Sequence, residues 1–126
     1  MRLLLDTAVL IYAVNSPRRL SRRAARALEN PRNLLEISSI SLAEIAIKSS
    51  LGKLSMTAAL ARQAIRDLDL RILSYTGEHA LELFDLPRQH SDPFDRQIIA
   101  QAISEHIPII TPDESFRLYK NLNLIW

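Results

Sequence analysis

Three consecutive leucines, Leu3-Leu4-Leu5, followed at once by Asp6, Thr7 and Ala8, constrain this chain more than any other stretch. A strand shows successive side chains to opposite faces, so an unbroken apolar run belongs to a strand covered on both sides. Cover on both faces is the habit of parallel sheets in α/β folds. Ligands in such folds bind beyond the carboxyl ends of the strands, which is where Asp6 stands. For a single Asp, capping the helix that begins at Thr7 or Ala8 is the simpler explanation. The weight therefore falls on which other acids join it.

The rest of the chain alternates in the same manner. Arg2–Leu5, Leu34–Ser38, Leu70–Leu73, Ile107–Ile110 and Leu122–Trp126 read as strands. Helices are expected over Ala8–Val14, from Ser21 to Glu29, over Ser41–Leu51 with Gly52 as the stop, and from Thr57 to Leu68. Two more are expected from Thr76 or Gly77 to Phe84 and from Asp92-Pro93 to His106, the second with its Pro in the first turn. Pro112–Tyr119 reads as a short helix or turn. This alternation predicts one α/β domain over residues 1–126, with a mostly parallel sheet between helices. Phe84, Phe94 and Phe116 are expected in its core.

Composition removes several function classes. No apolar run approaches the ~20 residues of a membrane span, and Asp6 interrupts the start that could pass for a signal peptide. The expectation is a soluble cytoplasmic protein. The chain has no cysteine, which excludes disulfides, thiolate metal sites and cysteine nucleophiles. With two glycines in all, it has no Gly-rich phosphate loop. Net charge is +2 but unevenly spread: residues 1–66 hold 11 Lys and Arg against 4 acids, and residues 67–126 hold 5 against 10. Arg18, Arg19, Arg22, Arg23 and Arg26 supply much of the basic excess. Such a patch suits a polyanion, and equally a solvated helix face.

Four acids share one placement. Asp6 ends the first strand, Glu44 lies in the first turn of the helix after the second, Asp95 lies in the first turn of the helix begun at Asp92, and Asp113 follows Ile109-Ile110-Thr111. In a parallel sheet, strand ends and the starts of the following helices lie on one edge, so all four can converge on one cleft. Each has a local explanation: Ser41-x-x-Glu44 matches a capping box, Asp92 and Asp95 suit a helix N-terminus, and Asp113 can cap a turn. Capping, however, does not require four carboxylates in one cleft. Two carboxylates ~4 Å apart at an effective dielectric near 20 repel by about 4 kcal/mol, so protons or a cation must neutralise them. An all-oxygen set favours Mg²⁺ or Mn²⁺ over Zn²⁺, and metal-assisted phosphodiester hydrolysis is the matching chemistry. Lys48 and Arg96 read as ordinary helix ion-pair partners of the site acids, Thr7 and Thr111 as hydroxyls for those carboxylates or a water, and His90 as loop surface.

Leu3-Leu4-Leu5-Asp6-Thr7, Ser41-Leu42-Ala43-Glu44-Ile45-Ala46-Ile47-Lys48 with Leu51-Gly52-Lys53-Leu54, His90-Ser91-Asp92-Pro93-Phe94-Asp95-Arg96, Ala100-Gln101-Ala102 and Thr111-Pro112-Asp113 together resemble PIN-domain proteins of the VapC type. These are the ribonuclease toxins of bacterial type II toxin–antitoxin pairs. The resemblance runs the length of the chain, and Asp-Pro-Phe-Asp-Arg is its most specific part. It implies a three-layer α/β/α sandwich and a Mg²⁺- or Mn²⁺-dependent endoribonuclease. It also implies a cognate antitoxin as partner and a homodimer. The family's acidic cluster maps onto Asp6, Glu44, Asp95 and Asp113. Asp6 and Asp95 would be the principal metal ligands, Glu44 would hold water or a second ion, and Asp113 would be a ligand or its support. Asp92 is either a further acid or the helix cap. Relatives often carry His and Trp where this chain has Ala8 and Tyr12, which bears on substrate handling or metal tuning. The competing reading is a PIN-like module without catalysis that binds RNA or protein. A phosphotransfer domain is a weaker third, since the second Asp it needs is replaced by Ala8.

Overall fold

The computed structural model describes residues 1–126. Strands β1 (Arg2–Leu5), β2 (Leu34–Ser38), β3 (Arg71–Leu73), β4 (Ile109–Ile110) and β5 (Leu124–Ile125) form one sheet in the order β3-β2-β1-β4-β5. Every pairing is parallel. The six α-helices are α1 (Thr7–Asn15), α2 (Arg22–Glu29), α3 (Ser39–Ser50), α4 (Ala58–Asp67), α5 (Gly77–Glu82) and α6 (Pro93–Glu105), with 3-10 turns at Pro17–Arg19 and Glu114–Leu118. None of the helices is long and apolar enough to cross a membrane.

The leucine run explains the layering. Leu3 and Leu5 join one core with Val9, Leu10, Ala24, Leu35, Ile37, Ile45 and Ala64, from α1 to α4. Leu4 points the other way, into a second core with Ile98, Ile99, Ala102, Ile109 and Phe116. One strand thus anchors both apolar layers, and its three leucines are almost wholly buried. At roughly 1.5–3 kcal/mol for each buried large apolar side chain, the central strand carries a large share of the apolar drive.

The chain lays down β1, β2 and β3 outward in one direction, then returns to place β4 on the other side of β1. A right-handed crossover puts helices on opposite faces when the direction of winding reverses. The crevice between β1 and β4 is therefore the topological switch point, where open α/β sheets bind ligands. Asp6 leaves β1 and Thr111 leaves β4 at that crevice.

Three local expectations are corrected. Helix α3 starts at Ser39, capped by Ser38, whose hydroxyl accepts from the amide of Ile40 at 3.0 Å. Ser41 is therefore inside the helix, and no capping box holds Glu44. Phe84 is 86% exposed, because α5 ends at Glu82 and the chain turns outward. Strand β4 is shorter than the apolar run suggests: the C-cap His106 turns left-handed (φ 57°), and Ile107 packs as part of the entry to the strand.

Candidate functional site

A cleft of about 410 Å³ opens at the switch point, lined by Asp6, Glu44, Lys48, Asp92, Asp95 and Asp113, with Thr7, Ala8, Ile11, Tyr12 and Pro112. All four acids expected from the sequence reach it, and Asp92 joins them. Asp6, Asp92, Asp95 and Asp113 are presented by the start of a helix or turn next to a strand end, whereas Glu44, expected in the first turn of its helix, lies in the second turn of α3 because the helix starts at Ser39.

Asp6 occupies the N-cap position of α1, yet its side chain makes no capping hydrogen bond. Its Oδ2 instead accepts from the Thr111 hydroxyl at 2.7 Å, across the β1–β4 crevice. Asp6 is 4% exposed. Burial pushes its pKa up to about 6, with further upward pressure from Glu44 and Asp113 against the Thr111 bond. Thr7, expected to serve a carboxylate or a water, donates to Ser41 Oγ at 2.8 Å and ties α1 to α3.

Glu44 is 5% exposed. Lys48, one turn on, holds its Oε2 at 2.5 Å, as the i,i+4 spacing predicts. The lysine pKa is raised, first by that bond and also by the charges of Asp92 and Asp95. Glu44 Oε1 is buried and has no partner. A buried acceptor of this kind is costly unless something binds it.

Asp92 and Asp95 have separate tasks. Asp92 Oδ1 accepts from the amides of Phe94 and Asp95 at 2.9 and 3.0 Å, which makes it the cap of α6. Asp95 is left without such a bond and faces the other acids. Its pKa is pushed up to about 8, first by burial and then by the charges of Asp6, Asp92, Asp113 and Glu44. Asp113 Oδ1 accepts from the amide and hydroxyl of Ser115 at 2.9 and 2.7 Å, so it caps the following turn with one oxygen.

The acids are gathered around a cleft without touching: no three His, Asp or Glu side chains stand close enough to hold an ion unaided. This suits a small hard cation that keeps several waters and takes one or two carboxylates directly. Glu44 Oε1, buried without a partner, is an acceptor that a cation or a water bound to it would satisfy. The donor set fits Mg²⁺ or Mn²⁺.

Two side chains differ from the sequence expectation. Arg96 pairs with no acid: it donates to the carbonyls of Leu86 and Pro87 and to the Tyr119 hydroxyl. His90 is wedged behind Asp95, its side chain 16% exposed. Tyr119, which reaches His90, carries no local signal in the sequence; only the fold brings it there. The five arginines from Arg18 to Arg26 are all exposed, and Arg19 stacks on Tyr12 at the cleft mouth, 4.1 Å from the ring centre.

The backbone resembles several solved structures. VapBC2 from Rickettsia felis, bound to a DNA fragment from its promoter, aligns with a TM-score of 0.72 at 24% identity, over 98% of this chain and 97% of that one. DNA-bound VapBC from Salmonella typhimurium gives 0.68 at 18%, over 98% and 96%. VapBC-1 from nontypeable Haemophilus influenzae gives 0.66 at 24%, over 98% and 96%. At these identities the likeness concerns the fold. No curated protein matches the chain significantly. The PIN domain family model matches residues 3–122, nearly the whole chain and every acid at the cleft: the chain belongs to the PIN domain family.

Proposed function

We propose that this protein is a metal-dependent endoribonuclease, the toxin of a type II toxin–antitoxin pair. One observation carries the reading: Asp6, Glu44, Asp92, Asp95 and Asp113 line one cleft at the switch point with Lys48 as its one basic residue, and Asp95 is pushed up to about 8 by burial and then by the charges of the other acids. Structural acids are normally paired where they are buried. An arrangement that keeps several short of partners is suited to a cation and the phosphate it brings.

Asp6 and Asp95 would hold Mg²⁺ or Mn²⁺. When bound, such an ion supplies Lewis acidity, activating water and neutralising charge that develops on the phosphate. Thr111 fixes Asp6 through Oδ2 and leaves Oδ1 available. Lys48 fixes Glu44 through Oε2, and Oε1 is free to orient a water or a second ion. Asp113, half committed to Ser115, supports the set from the β4 side. In the reaction, a water oxygen adds to phosphorus as the P–O bond to the leaving nucleotide breaks, and the leaving oxygen takes up a proton. The N-terminus of α1, which has no side-chain cap, points N–H groups to the same edge and favours phosphate there.

The toxin role rests on the VapBC complexes that share the fold. A cognate antitoxin, a homodimer and a cytoplasmic RNA substrate follow from that role. The test is cleavage of structured RNAs by purified protein free of antitoxin. Cutting with Mg²⁺ or Mn²⁺, abolished by chelation and by Asp6→Asn or Asp95→Asn, is expected. Folded protein that cuts no RNA with either ion, and shows no specific site by calorimetry, is instead a binding module.

A further inference from the structure

Behind Asp95 runs a chain of side chains that does not line the cleft. Arg96 is anchored by the carbonyls of Pro87 and Leu86 at 2.8 and 3.3 Å, and donates to the Tyr119 oxygen at 3.1 Å. That oxygen lies 2.7 Å from His90 Nδ1. On the far side of the ring, His90 Nε2 lies 3.4 Å from Asp95 Oδ2 and is buried without a hydrogen-bond partner. Two aromatic neighbours hold the ring: Tyr119 at 5.4 Å, edge-on, and Phe116 at 6.2 Å.

This order of donors selects a tautomer. The Tyr119 oxygen receives a hydrogen from Arg96, so its own hydrogen needs an acceptor. His90 Nδ1 provides one, and a neutral imidazole that accepts at Nδ1 carries its hydrogen on Nε2. The Nε2–H then faces Asp95. At 3.4 Å the contact is long for a hydrogen bond, as contacts in an unliganded site often are before they tighten on the bound state.

We propose that His90 is a positioning residue for Asp95, its Nε2–H held toward Oδ2 by Tyr119 and Arg96 so that the other carboxylate oxygen faces the cation. The inference rests on the reading of Asp95 as a cation ligand. It gives His90 and Tyr119 the place that hydrogen-bond partners of ligating carboxylates occupy, where substitution costs about 10–100-fold in metal affinity or activity.

The experiment is calorimetric titration of Mn²⁺ into the wild type, His90→Phe, His90→Gln and Tyr119→Phe, each shown to be folded by a thermal melt. Long-range proton–nitrogen spectra of the histidine rings accompany it. His90→Phe keeps the ring and loses the donor; its Mn²⁺ affinity is expected to fall about tenfold or more. His90→Gln restores an N–H near the position of Nε2 and is expected to recover most of the loss, which a packing role would not predict. Tyr119→Phe removes the hydrogen that holds Nδ1 as acceptor, so the ring spectrum shifts from the Nε2–H form and affinity falls by less. Equal Mn²⁺ affinity in the wild type and His90→Phe, or an Nδ1–H ring in the wild type, overturns the proposal while leaving the cation site standing. A wild type that binds no Mn²⁺ overturns the cation reading, and this inference with it.

Discussion

The two ends of helix α6 treat a carboxylate in opposite ways. At its amino end Asp95 meets the favourable pole of the helix dipole, yet its pKa is pushed up to about 8. At its carboxyl end Glu105 meets the unfavourable pole, yet its pKa is lowered, chiefly by the hydrogen bond from His79 and also by Arg2. A helix dipole is worth about 0.3–1 kcal/mol to a terminal charge, and here it is overruled at the amino end by burial and neighbouring acids and at the carboxyl end by hydrogen-bonding partners. Arg2 also holds Glu36 with two bonds at 2.9 and 3.0 Å, and Glu36 is as buried as Asp6. The same fold pairs Glu36 and Glu105 with Arg2 near the start of the sheet, whereas at the cleft Lys48 pairs with Glu44 and leaves Asp6 and Asp95 without a basic partner.

The comparison breaks first under a pair of substitutions. Asp95→Asn is expected to lower RNA cleavage by more than about a hundredfold, beyond the range seen when outer partners of a metal are removed, while the metal-free protein loses no stability. Arg2→Leu is expected to do the reverse. It leaves Glu36 buried and unpaired at a cost of about 3 kcal/mol, with cleavage per folded molecule unchanged well below the melting temperature. Urea denaturation read beside a cleavage assay checks both. Stability lost in Asp95→Asn would make the cleft acids structural and erase the contrast.

How far the sequence anticipates this contrast depends on the range of the interaction. The leucine run as a strand covered on both faces, the parallel sheet and the shared edge of Asp6, Glu44, Asp95 and Asp113 follow from local pattern and from the geometry of parallel sheets, whereas the strand order does not. Lys48 with Glu44 follows from helix spacing. Arg2 with Glu36, Thr111 with Asp6 and Tyr119 with His90 lie 34, 105 and 29 residues apart, and no periodicity marks them. Arg96 illustrates the trap: it lies beside Asp95 in sequence, but successive helical residues do not face each other, and it points to Tyr119 and the Leu86–Pro87 carbonyls instead.

Acid and base should separate the two ends of α6 more finely. The carboxyls of Asp6 and Asp95 have folded values of about 6 and about 8 against a model value of 3.8. Below about pH 4 both are protonated in the folded and unfolded chain alike, and stability is full. As pH rises, the folded chain keeps protons that the unfolded chain releases, so stability falls through about pH 6 and then about pH 8. Glu105, displaced downward, stabilises above its ordinary value of 4.5 and loses that contribution as pH falls through the lower folded value. Metal-free protein is therefore expected to lose stability between pH 5 and 8, by less than the ~5 kcal/mol that the two shifts would give unscreened, because Asp95 is partly solvated. Asp95→Asn should flatten that slope, and Glu105→Gln should weaken only the acid limb. A wild type with no slope in this window would mean that the cleft acids have found partners of their own.

Asp92 offers the smallest effect and the sharpest division, because cap and charge reside in one side chain. Its Oδ1 holds the amides of Phe94 and Asp95, and its charge raises the pKa of Asp95. Serine at an N-cap keeps the hydrogen bond without the charge; alanine loses both. Asp92→Ala is expected to cost about 1 kcal/mol and Asp92→Ser markedly less, read from paired urea titrations. Both remove one of the charges that hold the Asp95 proton, so the basic part of the pH–stability slope should move to lower pH equally in the two variants. If cleavage falls sharply in Asp92→Ser while its stability is kept, Asp92 belongs with the unpaired acids of the cleft. If cleavage is kept, the amino end of α6 contains both kinds of acid within three residues, one committed to the helix and one held open for the ion.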